Sequence, residues 1–188
     1  MEITNKESIN KIRYVCSKYN YLLLRVDEND SCERISSELL KSINWSKYDA
    51  VVISDYCKGF LSEEDIIYIS IMHNCTFLDS KRKIDTWVDN ISYIKINYQE
   101  FEKNENIILE NLKIRNKTII TRGKYGCDFR GVNYPTQEVS VKDVSGAGDT
   151  FLSGLVFEFT RTKDIIKSID FAQQCTLIVV QKKGVSTI

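Results

Sequence analysis

Short apolar runs alternate along the chain with longer segments whose apolar residues recur at helical spacing. The apolar runs have the length of buried strands, and the sequence predicts them at 50–54, 76–79, 93–96 and 118–122. Helices are predicted at 33–43, 63–73, 98–103, 106–113, 149–161 and 164–182. This alternation is typical of an α/β fold with a mainly parallel sheet and flanking helices.

Two further features complete the predicted organisation. Residues 11–16 and 21–27 form a predicted strand pair joined by a polar turn, and residues 127–133 form a predicted antiparallel strand near a sheet edge. Ser31 and Ser62 are the predicted N-caps of the first two helices. Because no repeat, low-complexity tract or linker interrupts the chain, we expect residues 1–188 to form a single domain.

Polar residues cluster where the predicted strands end. They are Ser54, Asp55, Tyr56, Asp79, Ser80, Lys81, Asn97, Thr121, Arg122 and Gly123. Ligands of parallel α/β sheets bind beyond the carboxyl ends of the strands. The sequence therefore predicts the rim of an active site at this edge.

The segment 143–154, with the sequence DVSGAGDTFLSG, is the most informative part of the chain. Its small residues permit a sharp turn and a close approach to a ligand, and the helix that follows would present free N–H groups to an anion. A carboxylate at Asp149 could there accept a proton from a hydroxyl. The alternative is a tight strand-to-helix turn in which Asp149 only caps the helix or matches its dipole.

Composition narrows the possible partners. The 26 basic and 26 acidic residues cancel, so neither nucleic acid nor an anionic membrane is the expected partner. No apolar run reaches transmembrane length, and residues 1–7 lack the apolar core of a signal peptide, so a cytoplasmic location is expected. Six scattered cysteines and one histidine argue against a zinc site.

The string from Asp143 through Val156 resembles the second signature of the ribokinase-like (PfkB) carbohydrate kinases, D-x-x-G-A-G-D followed by a helix of small residues. The resemblance implies ATP-dependent phosphoryl transfer to a sugar hydroxyl, with Asp149 as the base. It also implies that the backbone amides of Gly146, Ala147 and Gly148 stabilise the transferring group. ATP and Mg²⁺ are the implied cofactors.

Two shorter segments extend the resemblance. Asn97-Tyr98-Gln99-Glu100 is similar to the family's N-x-x-E motif, which implies that Asn97 lies at the cofactor and that Glu100 holds Mg²⁺ through water. The alternative is a helix-start Glu that matches the dipole. Residues 121–126 resemble the nucleotide-side strand and its glycine turn, which implies nucleotide contacts at Thr121, Gly123 and Gly126; the alternative is an ordinary hairpin.

Within the family, the order of several segments resembles the heptose-7-phosphate kinase domain of the bifunctional ADP-heptose synthesis proteins. These segments are 11–14, 23–27, 54–59, 79–81 and 183–187. The resemblance implies heptose 7-phosphate as the acceptor, in ADP-heptose and lipopolysaccharide biosynthesis, and a lid or interface role for the strand pair at 11–30. It also suggests substrate contacts from Asp55, Lys58 and Asp143. Lys58 and Lys81 are candidate phosphate contacts, although surface lysines are more often simply solvated.

Kinases of this family are longer, and the resemblance implies that the chain corresponds to their nucleotide-binding and catalytic part, truncated on the N-terminal side. A sheet divided at that point exposes an unpaired edge. We therefore expect a homodimer or a complex with a chain that supplies the missing half. Two alternatives stay open: a non-catalytic or split-enzyme nucleotide-binding relic that acts as a scaffold or subunit, and a kinase for another sugar or nucleoside.

Overall fold

The computed structural model describes residues 8–19, 21–184 and 186–188. These residues form two compact units. The first unit comprises the chain up to Ile43 together with Cys57–Ser62, and the second comprises Asn44–Tyr56 and Glu63–Ile188. The expectation of a single domain stays a prediction.

The first unit contains the predicted strand pair and one short helix. Strand β1 (Asn10–Val15) pairs antiparallel with β2 (Leu22–Glu28), and helix α1 spans Ser37–Ser42. The role of the pair as a lid or interface stays a prediction.

Helix α1 begins later than the sequence predicted. Ser36 rather than Ser31 is its N-cap, because the Ser36 hydroxyl accepts a hydrogen bond from the Leu39 N–H at 3.1 Å. The backbone N–H groups of Cys32 and Ile35 donate to the carbonyls of Lys58 and Phe60. Because these backbone groups bond to residues distant in sequence, the segment before Ser36 does not form a helical turn. The predicted helix start at Glu33 and the Ser31 cap are therefore wrong.

The second unit is built on a six-stranded sheet. Its strands are β3 (Val51–Asp55), β4 (Thr76–Ser80), β5 (Tyr93–Asn97), β6 (Thr118–Thr121), β7 (Cys127–Phe129) and β8 (Val132–Tyr134). They lie side by side in chain order. Neighbouring strands from β3 to β6 pair in parallel, and β7 pairs antiparallel with both β6 and β8. This confirms the mainly parallel sheet.

One predicted strand is a hairpin instead. Residues 127–133 divide into β7 and β8 around Arg130 and Gly131, which both have positive φ, at 53° and 77°. Two central residues with positive φ match the right-handed twist of the flanking strands, so the chain reverses there.

Five α-helices accompany the sheet in the described part of the second unit. They are α2 (Glu63–Met72), α3 (Tyr98–Glu110), α4 (Leu112–Arg115), α5 (Ala147–Thr162) and α6 (Ile165–Val180). The predicted break between 103 and 106 is absent from α3. The buried Asn104 side chain donates to the Glu100 carbonyl and accepts from the Ile84 N–H, each at 2.7 Å, so this polar residue is accommodated inside a continuous helix.

Helices α5 and α6 pack on one face of the sheet. Phe77, Ile119 and Phe129 from the strands meet Phe151, Leu155 and Ile169 from the helices in one buried cluster. Each such side chain contributes about 1.5–3 kcal/mol through its removal from water. This core fixes the N-terminus of α5 beside the carboxyl ends of the parallel strands.

None of the helices in the described ranges is long and apolar enough to cross a membrane.

Candidate functional site

The turn that leads into α5 is braced by Asp143. One Asp143 carboxylate oxygen accepts from the Ser145 N–H at 2.8 Å, and the other accepts from the Gly184 N–H at 3.1 Å. Gly146, the N-cap of α5, has a φ of 79°, a conformation that glycine adopts without steric cost. The carboxylate and the glycine together hold the turn in a sharp, open shape.

The turn presents free backbone donors. The N–H groups of Gly146, Gly148 and Asp149 have no acceptor among the described residues. The Ala147 N–H, in contrast, donates to the Val144 carbonyl at 3.1 Å. Ala147 therefore closes the turn, while Gly146, Gly148 and Asp149 keep free donors, and the binding of an anion by these amides stays a prediction. Free N–H groups and the positive end of a 16-residue helix together favour an anion.

Asp149 lies exposed in the first turn of α5 and contacts Tyr56 at the end of β3. The Tyr56 hydroxyl donates to Asp149 Oδ1 at 3.1 Å. Burial, followed by the Asp149 charge and this hydrogen bond, raises the pKa of Tyr56 to about 12. Tyr56 therefore stays a protonated donor that orients the Asp149 carboxylate. The sequence placed Tyr56 on the rim but assigned it no role.

Lys81 connects this pair to α3. Its ammonium forms an ion pair with Glu100 Oε1 and lies 5.9 Å from the centre of the Tyr56 ring. Burial lowers the pKa of Lys81, but the hydrogen bond and charge of Glu100 outweigh it, and the net shift is upward. Lys81 thus remains a cation at the rim.

Asn97 and Glu100 form a capping box. The Asn97 side chain accepts from the Glu100 N–H and Glu100 Oε2 accepts from the Asn97 N–H, each at 2.9 Å. This reciprocal bonding satisfies two free donors of the helix. The helix-start alternative for Glu100 is therefore realised, and its contact with magnesium stays a prediction.

The side chains at this site offer magnesium few oxygen ligands of their own. Within the described ranges, no group of three His, Cys, Asp or Glu residues is placed to hold a metal. Both Glu100 oxygens are engaged, though each keeps a further lone pair. Magnesium commonly binds through one or two carboxylates, several waters and substrate phosphates. The residues therefore suit an ion that is held mainly by a bound phosphate chain.

Two predicted substrate residues, Asp55 and Lys58, are engaged in ion pairs. Asp55 is buried, and its Oδ2 accepts from the Ser80 hydroxyl at 2.9 Å and from the Arg82 guanidinium at 2.6 Å. Lys58 belongs to the first unit, where it pairs with Asp30. The substrate contacts of Asp55 and Lys58 stay predictions.

A cavity of about 300 Å³ opens beside the α5 turn. It brings together the predicted Thr121, Gly123 and Gly126 with Ala147 and Gly148. Much of the remaining lining is apolar, including Val139, Val141, Val144, Phe151, Leu177 and Val180. An apolar hollow next to free amide donors suits a ligand with a flat apolar part and an anionic part.

Gln173 gives the cavity a buried polar group. The residue is 8% exposed, it lines the cavity, and its Oε1 has no hydrogen-bond partner in the part of the chain that the structure describes. This oxygen lies 3.0 Å from the position that a Cβ on Gly126 would occupy. A buried acceptor without a donor costs about 1–3 kcal/mol.

A family model described as pfkB family carbohydrate kinase matches residues 48–188. The bifunctional protein HldE of Campylobacter curvus is 28% identical over 207 residues, and the match covers 97% of this chain and 43% of that protein. The HldE protein of Shewanella sp. (strain MR-4) is 30% identical over 210 residues, covering 100% of this chain and 44% of that protein. The chain thus spans less than half the length of these curated relatives.

Solved structures share the fold at low sequence identity. Ribokinase from Thermotoga maritima superposes with a TM-score of 0.68 at 14% identity, covering 95% of this chain and 66% of that one. Phosphofructokinase-2 from Escherichia coli superposes with a TM-score of 0.71 at 11% identity, covering 94% and 66%. The ribokinase-like α/β fold is thereby confirmed.

Proposed function

Since the chain belongs to the pfkB family of carbohydrate kinases, we propose that it binds ATP and transfers the γ-phosphoryl group to a hydroxyl of a phosphorylated sugar. Heptose 7-phosphate is the favoured acceptor, because the sequence resembles heptose-7-phosphate kinase domains and its curated relatives are bifunctional HldE proteins. A cytoplasmic location, where ATP is available, is part of the proposal.

The observation that carries the proposal is the junction of the cavity with the α5 turn. The cavity of about 300 Å³ is of a size to take a nucleobase. Gly148 lines it and also carries a free N–H group. A nucleotide whose base fills the cavity would therefore direct its phosphates along the turn towards Asp149.

The chemistry needs little beyond this arrangement. Phosphoryl transfer depends mainly on positioning and on charge stabilisation. Asp149, oriented by Tyr56, would accept the proton of the attacking hydroxyl. The N–H groups of Gly146 and Gly148 would stabilise the charge on the transferring group. Lys81, whose ammonium lies 5.9 Å from the centre of the Tyr56 ring, would contact a phosphate.

Magnesium belongs to the proposal as an ion carried by the nucleotide. Glu100 would reach it through water, which agrees with a carboxylate that already bonds to Asn97 and Lys81. When bound, the ion neutralises part of the phosphate charge.

Gln173 is proposed to recognise the exocyclic amino group of adenine. Replacing Gln173 by Leu removes the acceptor at nearly constant volume, so we expect the Kd for ADP to rise about tenfold, from the loss of one hydrogen bond of about 1.4 kcal/mol. Thermal stability should hold or rise, because the variant loses an unpaired buried oxygen. Calorimetric titration and thermal unfolding measure both quantities.

Gln174→Leu is the matched control for this prediction. Gln174 is exposed on the same helix and bonds to Asp170, so its loss should leave ADP binding unchanged. Equal ADP affinities in wild type, Gln173→Leu and Gln174→Leu would contradict the assignment.

We also propose that the chain associates with itself or with a second chain. Strand β3 lies at the end of the sheet, where Val52 is 45% exposed. The hairpin of the first unit exposes Tyr14, Leu22 and Leu24, each at more than half of its surface. An open strand edge and exposed apolar side chains favour pairing. Sedimentation across micromolar concentrations should show a dimer, and a well-folded monomer throughout would contradict self-association.

Calorimetric titration of the 188-residue chain with ATP, ADP and adenosine, followed by an ADP-release assay over a panel of sugars, tests the proposed function. The kinase proposal expects tighter binding of ATP than of adenosine and ADP release that depends on heptose 7-phosphate. Binding without turnover would favour the alternative of a nucleotide-binding subunit. ADP release that depends on another sugar would replace heptose 7-phosphate by that sugar as the proposed acceptor.

A further inference from the structure

A buried ion pair lies beneath the α5 turn. Lys95 on β5 and Asp79 on β4 are 5% and 8% exposed, and Lys95 Nζ lies 2.6 Å from Asp79 Oδ2. Both charges lose water, and a well-packed apolar pair of similar volume is often neutral or stabilising in such a place. Stability alone therefore gives little reason for a Lys–Asp pair inside this sheet.

The pair has a definite orientation. Lys95 Nζ lies 3.0 Å from the position that a Cβ on Gly148 would occupy, and no atom of Asp79 comes within 4 Å of that position. The charge of Asp79 acts instead on Tyr56 and Lys81. The positive end of the pair thus faces the turn, and the negative end faces the rim.

This orientation is costly without a ligand. The ammonium lies behind a helix N-terminus, which is itself positive, and inside the protein such charges are screened little. The Gly148 N–H in front of it has no acceptor among the described residues. An anion bound to the turn would relieve the repulsion between Lys95 and the helix terminus.

We propose that the Lys95–Asp79 pair is a fixed dipole that strengthens phosphate binding at the Gly146–Asp149 turn, with Lys95 a positioning residue that acts through Gly148. The inference rests on the proposed function, since its ligand is the phosphate chain of the nucleotide. A Cβ at 148 would lie 3.0 Å from the Lys95 ammonium, so the glycine lets the turn approach this charge without displacing it.

The test compares ADP with adenosine, which under the proposed function would fill the cavity but brings no phosphate. Calorimetric titrations without metal give the ratio of the adenosine Kd to the ADP Kd for the wild type and for the double variant Asp79→Leu/Lys95→Met. We expect the double variant to keep its adenosine affinity and to bind ADP about tenfold more weakly. Thermal unfolding shows whether the apolar pair keeps the fold.

Two further variants keep the result interpretable. Asp79→Asn leaves the ammonium without its counter-charge, so at a pH where Lys95 stays protonated its ADP affinity should equal or exceed that of the wild type. Asp79→Asn/Lys95→Gln serves if the apolar pair does not fold, because it keeps a neutral hydrogen-bonding pair. An unchanged Kd ratio in the folded double variant would overturn the inference and leave the proposed function intact. A wild type that binds ADP no better than adenosine would overturn both, and the wild-type titration alone would reveal it.

Discussion

Replacing Asp149 by Asn is expected to lower the kcat for sugar phosphorylation by about 10²–10⁴, the usual contribution of a positioned general base. Asparagine keeps the size of the side chain and an oxygen that can accept from the Tyr56 hydroxyl, so the local geometry should persist. What it loses is the ability to take a proton from the acceptor hydroxyl. Steady-state kinetics with the preferred sugar give the change in kcat.

Nucleotide binding separates this effect from a general loss of structure. Asp149 carries a negative charge in the α5 turn, where it would repel the phosphates of ATP. The Asn variant should therefore bind ATP as tightly as the wild type or more tightly. Asp170→Asn, a change at an exposed carboxylate on α6, is the control and should leave both kcat and Kd unchanged. A fall in kcat of less than tenfold in the Asp149→Asn variant would contradict the assignment of Asp149 as the general base.

Replacing Gly126 by Ala is expected to have the largest effect on stability. A Cβ at this position would lie 2.0 Å from the Tyr134 carbonyl oxygen and 2.9 Å from Pro135 Cα, at a φ of 86°. These neighbours are backbone atoms, so β8 and the chain after it would have to move. Strain and overpacking together suggest a loss of about 3–5 kcal/mol, a large share of the stability of a typical domain. Urea unfolding measures the loss.

Gly123→Ala is the matched control for Gly126→Ala. Gly123 also has a positive φ, at 56°, but apart from its two chain neighbours no described residue has an atom within 4 Å of the added Cβ. The Gly123→Ala variant should lose only the conformational cost of about 1–2 kcal/mol in its free energy of unfolding. The wall of the cavity should survive in the Gly123 variant and be displaced in the Gly126 variant, where ADP affinity should fall as well. Similar losses in the two variants would contradict the packing argument.

The sequence predicted those features that depend on local pattern. The apolar runs at β3, β4, β5 and β6 specify a parallel sheet because buried strands need no alternation. The turn before α5 was predictable because small residues and a following apolar periodicity occur together there. The hairpin of β7 and β8 was missed because Arg130 gives no sign in the sequence of a left-handed conformation.

Contacts between residues distant in sequence could not be predicted from these local patterns. Gln173 follows the buried face of α6, so its position alone does not distinguish a core residue from one that borders a cavity. Lys95 interrupts an apolar strand without any nearby acid in sequence. Its partner Asp79 is 16 residues away, and the two meet only through the register of neighbouring strands.

Phosphorus NMR of the purified 188-residue chain, mixed with ATP, magnesium and heptose 7-phosphate, tests the proposed phosphoryl transfer most directly. We expect the γ-phosphate signal of ATP to be replaced by signals of ADP and of a new sugar phosphate ester, and the Asp149→Asn chain to leave the ATP spectrum unchanged over the same time. An unchanged wild-type spectrum over the same time, across the sugar panel, would contradict the claim that this chain is a sugar kinase.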